Sequence, residues 1–365
     1  MKKSFICPFC FQKYNLRNVL YICLGCEKAS YPSKFEKEPV KCKNCSGFAT
    51  QRVCKECERE VPKSMLETSN FAISIVGTTY SGKTNYITVM LNELSKSTGL
   101  KLMINTQDEH THSYQNDNYE LIYEHHRVPA SNAPCMTSPL IWDIKNLRKG
   151  KAHDVSSYTF TIYDGAGDEQ VSCMKNNDTY YCGYIDISDA IIFAINPLGL
   201  DSIKYHGVVD QQIMENSLAG NDSSLIQRQL IDDTALRMRM AKGININKKL
   251  NTPVAVLLTK LDTILSHKSF GPSALIKRHS LIINDGKIAI SEIQQIDEEI
   301  RYWLLDIGED LFINTLESNF KEFYFFGVSS YGEPPKNTAT LPDRIRPHRV
   351  LDPILWLFKK FDFID

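Results

Sequence analysis

Residues 71–84 read Phe-Ala-Ile-Ser-Ile-Val-Gly-Thr-Thr-Tyr-Ser-Gly-Lys-Thr, an apolar run leading directly into the pattern G-x-x-x-x-G-K-T. No other stretch constrains the fold as tightly, because this loop works only between a strand and a helix. Gly77 and Gly82 let the backbone curl into a nest whose N–H groups converge on phosphate oxygens. Behind the loop, Ile87, Met90, Leu91 and Leu94 fall on one face of a helix. That helix turns the positive end of its dipole toward the same anion. The phosphate-binding candidates are therefore Gly77, Thr78, Thr79, Tyr80, Ser81, Gly82, Lys83, Thr84 and Asn85. Among them, Lys83 supplies charge at the β- and γ-phosphates and the Thr84 hydroxyl suits Mg²⁺.

From Phe71 onward, apolar strand segments alternate with helical stretches, the arrangement of a parallel α/β fold. Strands are expected at 71–76, 140–144, 158–163, 190–195, 254–258 and 323–328. The second and third of these, joined by the polar segment 145–157, should form an antiparallel hairpin in a mostly parallel sheet. Residues 100–135 are polar and weakly periodic, 205–250 read as a helical insertion, and 350–361 suit a packed terminal helix.

Eight of eleven cysteines form four C-x-x-C pairs within the first 57 residues: Cys7/Cys10, Cys23/Cys26, Cys42/Cys45 and Cys54/Cys57. Each pair presents two thiolates to one metal, so four pairs make two tetrahedral Zn²⁺ sites, a double zinc ribbon over residues 1–66. The simplest assignment is sequential, the first two pairs on one ion and the last two on the other. A cross-braced arrangement, first with third and second with fourth, is the alternative. This segment has too few large apolar residues for a core of its own, so metal has to supply its folding energy. Residues 67–365 then form the second domain. Cys135, Cys173 and Cys182 read as isolated ordinary thiols.

The formal net charge of −1 gives no overall pull toward nucleic acid or membrane, and no apolar run approaches the ~20 residues of a membrane span. Residues 1–66 carry thirteen Lys/Arg against six Asp/Glu, an excess that two Zn²⁺-bound thiolate sets mostly cancel. The ribbons are thus expected to contact a protein rather than nucleic acid, in the reducing cytoplasm.

Three further segments complete the pattern. Residues 159–163 end in Asp164-Gly165-Ala166-Gly167, where Asp164 is placed to serve the Mg²⁺ and the Gly167 N–H the γ-phosphate. The run 253–258 leads into Thr259-Lys260-Leu261-Asp262. A carboxylate there accepts both the N1–H and the exocyclic amine of guanine, a donor pair adenine lacks, while the Lys260 stem lies across the purine. Ser329-Ser330, after the last strand, would set backbone N–H groups beside the guanine O6.

In this order the four segments resemble the first, third, fourth and fifth motifs of translation-factor and Ras-like (TRAFAC) P-loop GTPases, over about residues 70–360. The leading ribbon, the Ser-Gly-Lys-Thr-Asn-Tyr start and the Asp-Pro-Ile-Leu-Trp tail resemble bacterial "double-GTPase" conflict-system proteins. The resemblance implies a Mg²⁺-dependent GTPase switch that binds GTP and GDP. Its missing motif, a switch threonine ahead of the second strand, falls on Thr137, with Ser138 as the alternative. The water-orienting glutamine expected after Gly167 is replaced by Asp168, followed by Glu169, which implies slow turnover without a partner. Rival readings are a P-loop ATPase, against which Asp262 speaks, and a zinc-scaffolded module that binds nucleotide without efficient turnover. The histidines at 110, 112, 125 and 126 read as solvated loop residues.

Overall fold

A computed structural model describes residues 4–15, 19–31, 39–97, 100, 102–130, 137–149, 152–165, 179–205, 209–217, 222–284 and 287–364. Its N-terminal part holds a hairpin, β1 (Ser4–Ile6) and β2 (Lys13–Asn15), and an antiparallel sheet. The sheet has the order β4-β3-β6-β5, from β3 (Leu20–Cys23), β4 (Ala29–Ser30), β5 (Val40–Lys41) and β6 (Phe48–Val53).

The antiparallel pairing of β3 with β6 sets Leu20 opposite Val53 and Cys23 opposite Ala49. It corrects the expected zinc assignment. The end of β3 carries Cys23 and Cys26 to the start of β6, just after Cys42 and Cys45. The start of β3 lies beside the end of β6, where Cys54 and Cys57 meet Cys7 and Cys10 of the first hairpin. The tetrads are therefore nested, first pair with fourth and second with third, neither sequential nor cross-braced. Around them pack Phe5, Val19, Tyr21, Ala49 and Met65, joined by Ile141 from farther along the chain.

After α1 (Lys63–Glu67), the chain builds a seven-stranded sheet in the order β15-β12-β11-β7-β10-β9-β8. Its strands are β7 (Ser69–Val76), β8 (Met103–Thr106), β9 (Pro139–Lys149), β10 (Ala152–Asp164), β11 (Ala190–Ile195), β12 (Val254–Leu258) and β15 (Phe323–Gly327). The five from β15 to β10 run parallel; β9 pairs antiparallel with β10, and β8 antiparallel with β9. A short hairpin, β13 (Ile283–Asn284) and β14 (Lys287–Ile288), lies outside it. All six expected strands are present. β9 and β10 extend through most of the segment read as their linker, and β8 arises within the stretch read as weakly periodic.

The helices are α2 (Lys83–Lys96), α3 (Glu109–Tyr119), α4 (Thr179–Asp186), α5 (Asp201–Tyr205), α6 (Gln211–Asn216), α7 (Ser224–Lys242), α8 (Ile290–Asp306), α9 (Asp310–Asn319) and α10 (Asp352–Lys360). Alternation along β7 divides the core. Ile73 and Ile75 join Ile87, Met90 and Leu94 of α2 and Phe358 of α10 on one face. Val76 joins Phe193, Tyr184, Met238 and Trp303 on the other. β11 is buried along its whole length, as a central parallel strand covered on both faces must be. Cys182, read as an ordinary thiol, is instead buried and disulfide-bonded. Among the described residues, no helix is long and apolar enough to cross a membrane.

Candidate functional site

The loop from β7 to α2 lies at the C-terminal edge of the parallel strands. Gly82 takes φ 82° and Tyr80 φ 63°, both left-handed, which turns successive peptide N–H groups to one side. Gly77 admits no side chain, since a Cβ would lie 2.6 Å from both the Ala194 carbonyl and Ser81 Oγ. Lys83, buried at the start of α2, donates to the carbonyls of Gly77 at 2.8 Å and Thr78 at 3.0 Å. The ammonium is thereby folded back over the loop it serves. Ser81 Oγ ties the loop internally, donating to the Thr78 carbonyl at 2.8 Å.

Parallel pairing of β10 with β7 sets Asp164 opposite Ile75, at the strand end beside the loop. There Thr84 Oγ1 donates to Asp164 Oδ2 at 2.7 Å. The two oxygens come from segments eighty residues apart. A hydroxyl and a carboxylate are the hard donors Mg²⁺ takes, so these residues fit that ion. Thr137 lies half-buried just ahead of Pro139, the first residue of β9. Gly167, Asp168 and Glu169 lie outside the described residues.

The neighbouring strand ends bring the other motifs together. Thr259 Oγ1 donates to the Ile195 carbonyl at 3.0 Å, and its Cβ lies 3.9 Å from the position a Cβ on Gly82 would take. Lys260 takes φ 50° and donates through Nζ to the Ser217 carbonyl at 2.6 Å. Burial lowers the Lys260 pKa to about 8, with Asp262 and Asp222 opposing the shift. Burial raises the Asp262 carboxyl, against a hydrogen bond from Ser329 that stabilises its charge. Ser329 in turn accepts from the Gly332 N–H at 2.8 Å. Leu261 N donates to the Val328 carbonyl at 3.1 Å, closing the two loops on each other. Ser330 follows in the same turn.

Two groups here carry no motif. Tyr114, on α3, donates its hydroxyl to Asp164 Oδ2 at 2.8 Å. Burial, together with the Asp164 charge, holds that phenol well above its usual range, so it stays a donor. Asp222 accepts from Thr78 Oγ1 at 2.6 Å, and burial raises its carboxyl to about 6. A tyrosine and an aspartate in polar stretches leave no signal in sequence. Only the fold carries them to the loop.

In the cysteine clusters, all four sulfurs of each tetrad lie within 4.8 Å of one another. The Sγ–Sγ distances are 3.8 Å for Cys7–Cys57, 3.6 Å for Cys10–Cys54 and 3.5 Å for both Cys23–Cys45 and Cys26–Cys42. A tetrahedral S₄ site with Zn–S of about 2.3 Å requires sulfurs about 3.8 Å apart, so both tetrads fit zinc. Backbone N–H groups of Asn44 and Cys45 pull the Cys42 thiol down to about 6, toward the ligating thiolate. Among the described residues these are the two groups arranged for a metal, and the histidines of α3 form none.

No family profile matches the chain, and no curated protein does. Among solved structures, the chain is similar to the small GTPase Arl6 (BBS3) of Trypanosoma brucei with a bound nucleotide analogue, GppNp. Identity is 12%, over 80% of this chain and 98% of that one, with a TM-score of 0.32. It is also similar to a signal recognition particle receptor SRb-GTP/SRX complex from Chaetomium thermophilum. There identity is 13%, over 73% of this chain and 94% of that one, with a TM-score of 0.29. The chain's own strand order and loop geometry define it as a mixed α/β protein of P-loop type, with two cysteine tetrads near its N-terminus.

Proposed function

We propose that the chain is a Mg²⁺-dependent GTPase switch, a double zinc ribbon of residues 1–66 followed by a nucleotide domain of residues 67–365. The observation that carries this reading is the Thr84–Asp164 hydrogen bond of 2.7 Å beside a loop shaped for phosphate. Lys83 and the loop N–H groups would hold the β- and γ-phosphates. Thr84, Asp164 and Thr137 are the residues that would hold Mg²⁺, which when bound would supply positive charge to offset that developing on the phosphates. Asp262 favours guanine over adenine, with the Lys260 stem on the purine face and Ser329 and Ser330 at its edge. Water attacks the γ-phosphate in line. Gly167 would donate to that phosphate, and Asp168 and Glu169, in place of the usual glutamine, would be the residues to orient water. A carboxylate beside a triphosphate is electrostatically unfavourable, which supports slow turnover and an activating group from a partner.

The resemblance supports a place in a bacterial conflict system, with a protein partner received by the ribbons. Metal-ready thiols support the reducing cytoplasm. Isothermal titration with GDP, GTP, ADP and ATP in Mg²⁺ tests the reading. Guanine nucleotides should bind at least about tenfold tighter than adenine ones, and Lys83→Ala and Thr84→Ala should abolish tight GTP binding. Equal affinity for ATP would give the site to the ATPase reading.

A further inference from the structure

We propose that Tyr114 is a positioning residue for the metal-binding carboxylate: its hydroxyl fixes Asp164 in the orientation that captures Mg²⁺ and so slows nucleotide release. The inference rests on the reading of the loop as a Mg²⁺–nucleotide site. Tyr114 and Thr84 both donate to Asp164 Oδ2, at 2.8 and 2.7 Å. Tyr114 stands fifty residues ahead of Asp164, on a helix that belongs to none of the nucleotide motifs.

That helix is itself held rigidly. Asp108 caps it, accepting from Thr111 N at 2.6 Å. Thr111 Oγ1 accepts from Ile141 N at 2.8 Å, and Gln115 Oε1 accepts from Trp142 Nε1 at 3.0 Å. Ile141 and Trp142 belong to β9, which pairs with the strand that ends in Asp164. The hydroxyl is thus presented from a pinned helix, not a loop.

The physical effect follows from the two donors. A lone aspartate samples several rotamers and gives up that freedom on binding a cation. Two O–H groups on a single oxygen select one rotamer beforehand. They withdraw some charge from the carboxylate, but outer partners of ligating groups cost about 10–100-fold in metal affinity when removed, so orientation outweighs the lost charge. Thr84 would itself serve as a ligand through its hydroxyl when a metal ion is bound. Tyr114 remains as the group that holds the carboxylate in place.

Release of a fluorescent GDP analogue from full-length protein, followed across a Mg²⁺ titration and in excess EDTA, tests this. Tyr114→Phe keeps the ring and removes the donor. The Mg²⁺ concentration for half-maximal slowing should rise about tenfold or more, while release in EDTA stays within about twofold of wild type. His112→Ala, on the exposed side of the same helix, should match wild type in both arms. Superimposable Mg²⁺ curves for wild type and Tyr114→Phe would overturn the proposal. So would equal acceleration with and without Mg²⁺, which would make the hydroxyl merely a packing group. Wild-type protein that holds no guanine nucleotide would overturn the functional reading first, and this inference with it.

Discussion

The Tyr163 hydroxyl donates to the Pro8 carbonyl at 2.9 Å in a buried contact between residues 155 apart in the chain. Tyr163 immediately precedes Asp164, and Pro8 lies between Cys7 and Cys10. The Phe11 ring meets the Tyr163 ring edge-on at 6.1 Å, and the Tyr184 ring stacks on Tyr163 at 5.0 Å. Gly183 allows this approach, because a Cβ there would sit 2.4 Å from Phe11 Cδ2. The first cysteine turn is therefore wedged between the end of β10 and α4, against the strand that ends in Asp164.

Loosening that joint should expose the outer tetrad. Gly183→Ala forces Phe11 out of its seat, and Tyr163→Phe leaves the buried Pro8 carbonyl without its donor, each costing about 1–3 kcal/mol. Urea unfolding should show the loss. Zinc transfer to a chromophoric chelator should be faster for one of the two ions. If both ions leave Gly183→Ala at the wild-type rate, the docking has no bearing on the metal site.

Nested pairing makes a stoichiometric prediction. Protein purified without added metal should hold about two Zn²⁺ per chain. Cys7→Ser with Cys54→Ser damages one tetrad and should leave about one ion. Cys7→Ser with Cys23→Ser, or with Cys42→Ser, damages both and should leave almost none. Sequential ligation would instead spare one ion in the Cys7/Cys23 double variant, and cross-bracing would spare one in the Cys7/Cys42 variant. Elemental analysis of the three proteins separates the cases.

Base choice should turn on one carboxylate. Asp262→Asn trades an acceptor pair for one acceptor and a mismatched amide donor. Guanine nucleotide affinity should fall by about tenfold or more, while xanthine nucleotides, whose C2 carbonyl suits the amide, should gain. Competition between GDP and xanthosine diphosphate measures this, and an unchanged GDP preference would remove Asp262 from base recognition.

Asp222 should make the nucleotide-free protein lose stability as pH rises. In the unfolded chain the carboxyl ionises near 3.8, whereas burial keeps it protonated to about 6 in the folded state. The folded state is therefore favoured fully below pH 3.8, and this contribution is lost as pH climbs through 6. The span is roughly 3 kcal/mol at most. Asp222→Asn, which still accepts from Thr78, should gain stability relative to wild type between pH 4.5 and 7.5. Urea unfolding at those two pH values should give different mutant-minus-wild-type stabilities, and identical values would show that the carboxyl does not titrate in this window.

Local patterns in the sequence already determine much of this protein. The strand–glycine–helix grammar of residues 71–94 locates β7, the phosphate loop and α2, because backbone nest, dipole and apolar face must follow one another along the chain. Apolar runs at 190–195, 254–258 and 323–328 are legible because central parallel strands are buried on both faces and need no partner to be recognised. The C-x-x-C spacing announces two metal sites, since each pair is a local turn. Which pairs share an ion depended on the antiparallel register of β3 with β6, a long-range relationship that short spacings do not encode. For the same reason only the tertiary structure brings Tyr114 to Asp164, Asp222 to Thr78 and Pro8 to Tyr163. Each pair meets across the fold through one hydrogen bond, and a single polar contact at long separation leaves no periodicity for a sequence to show.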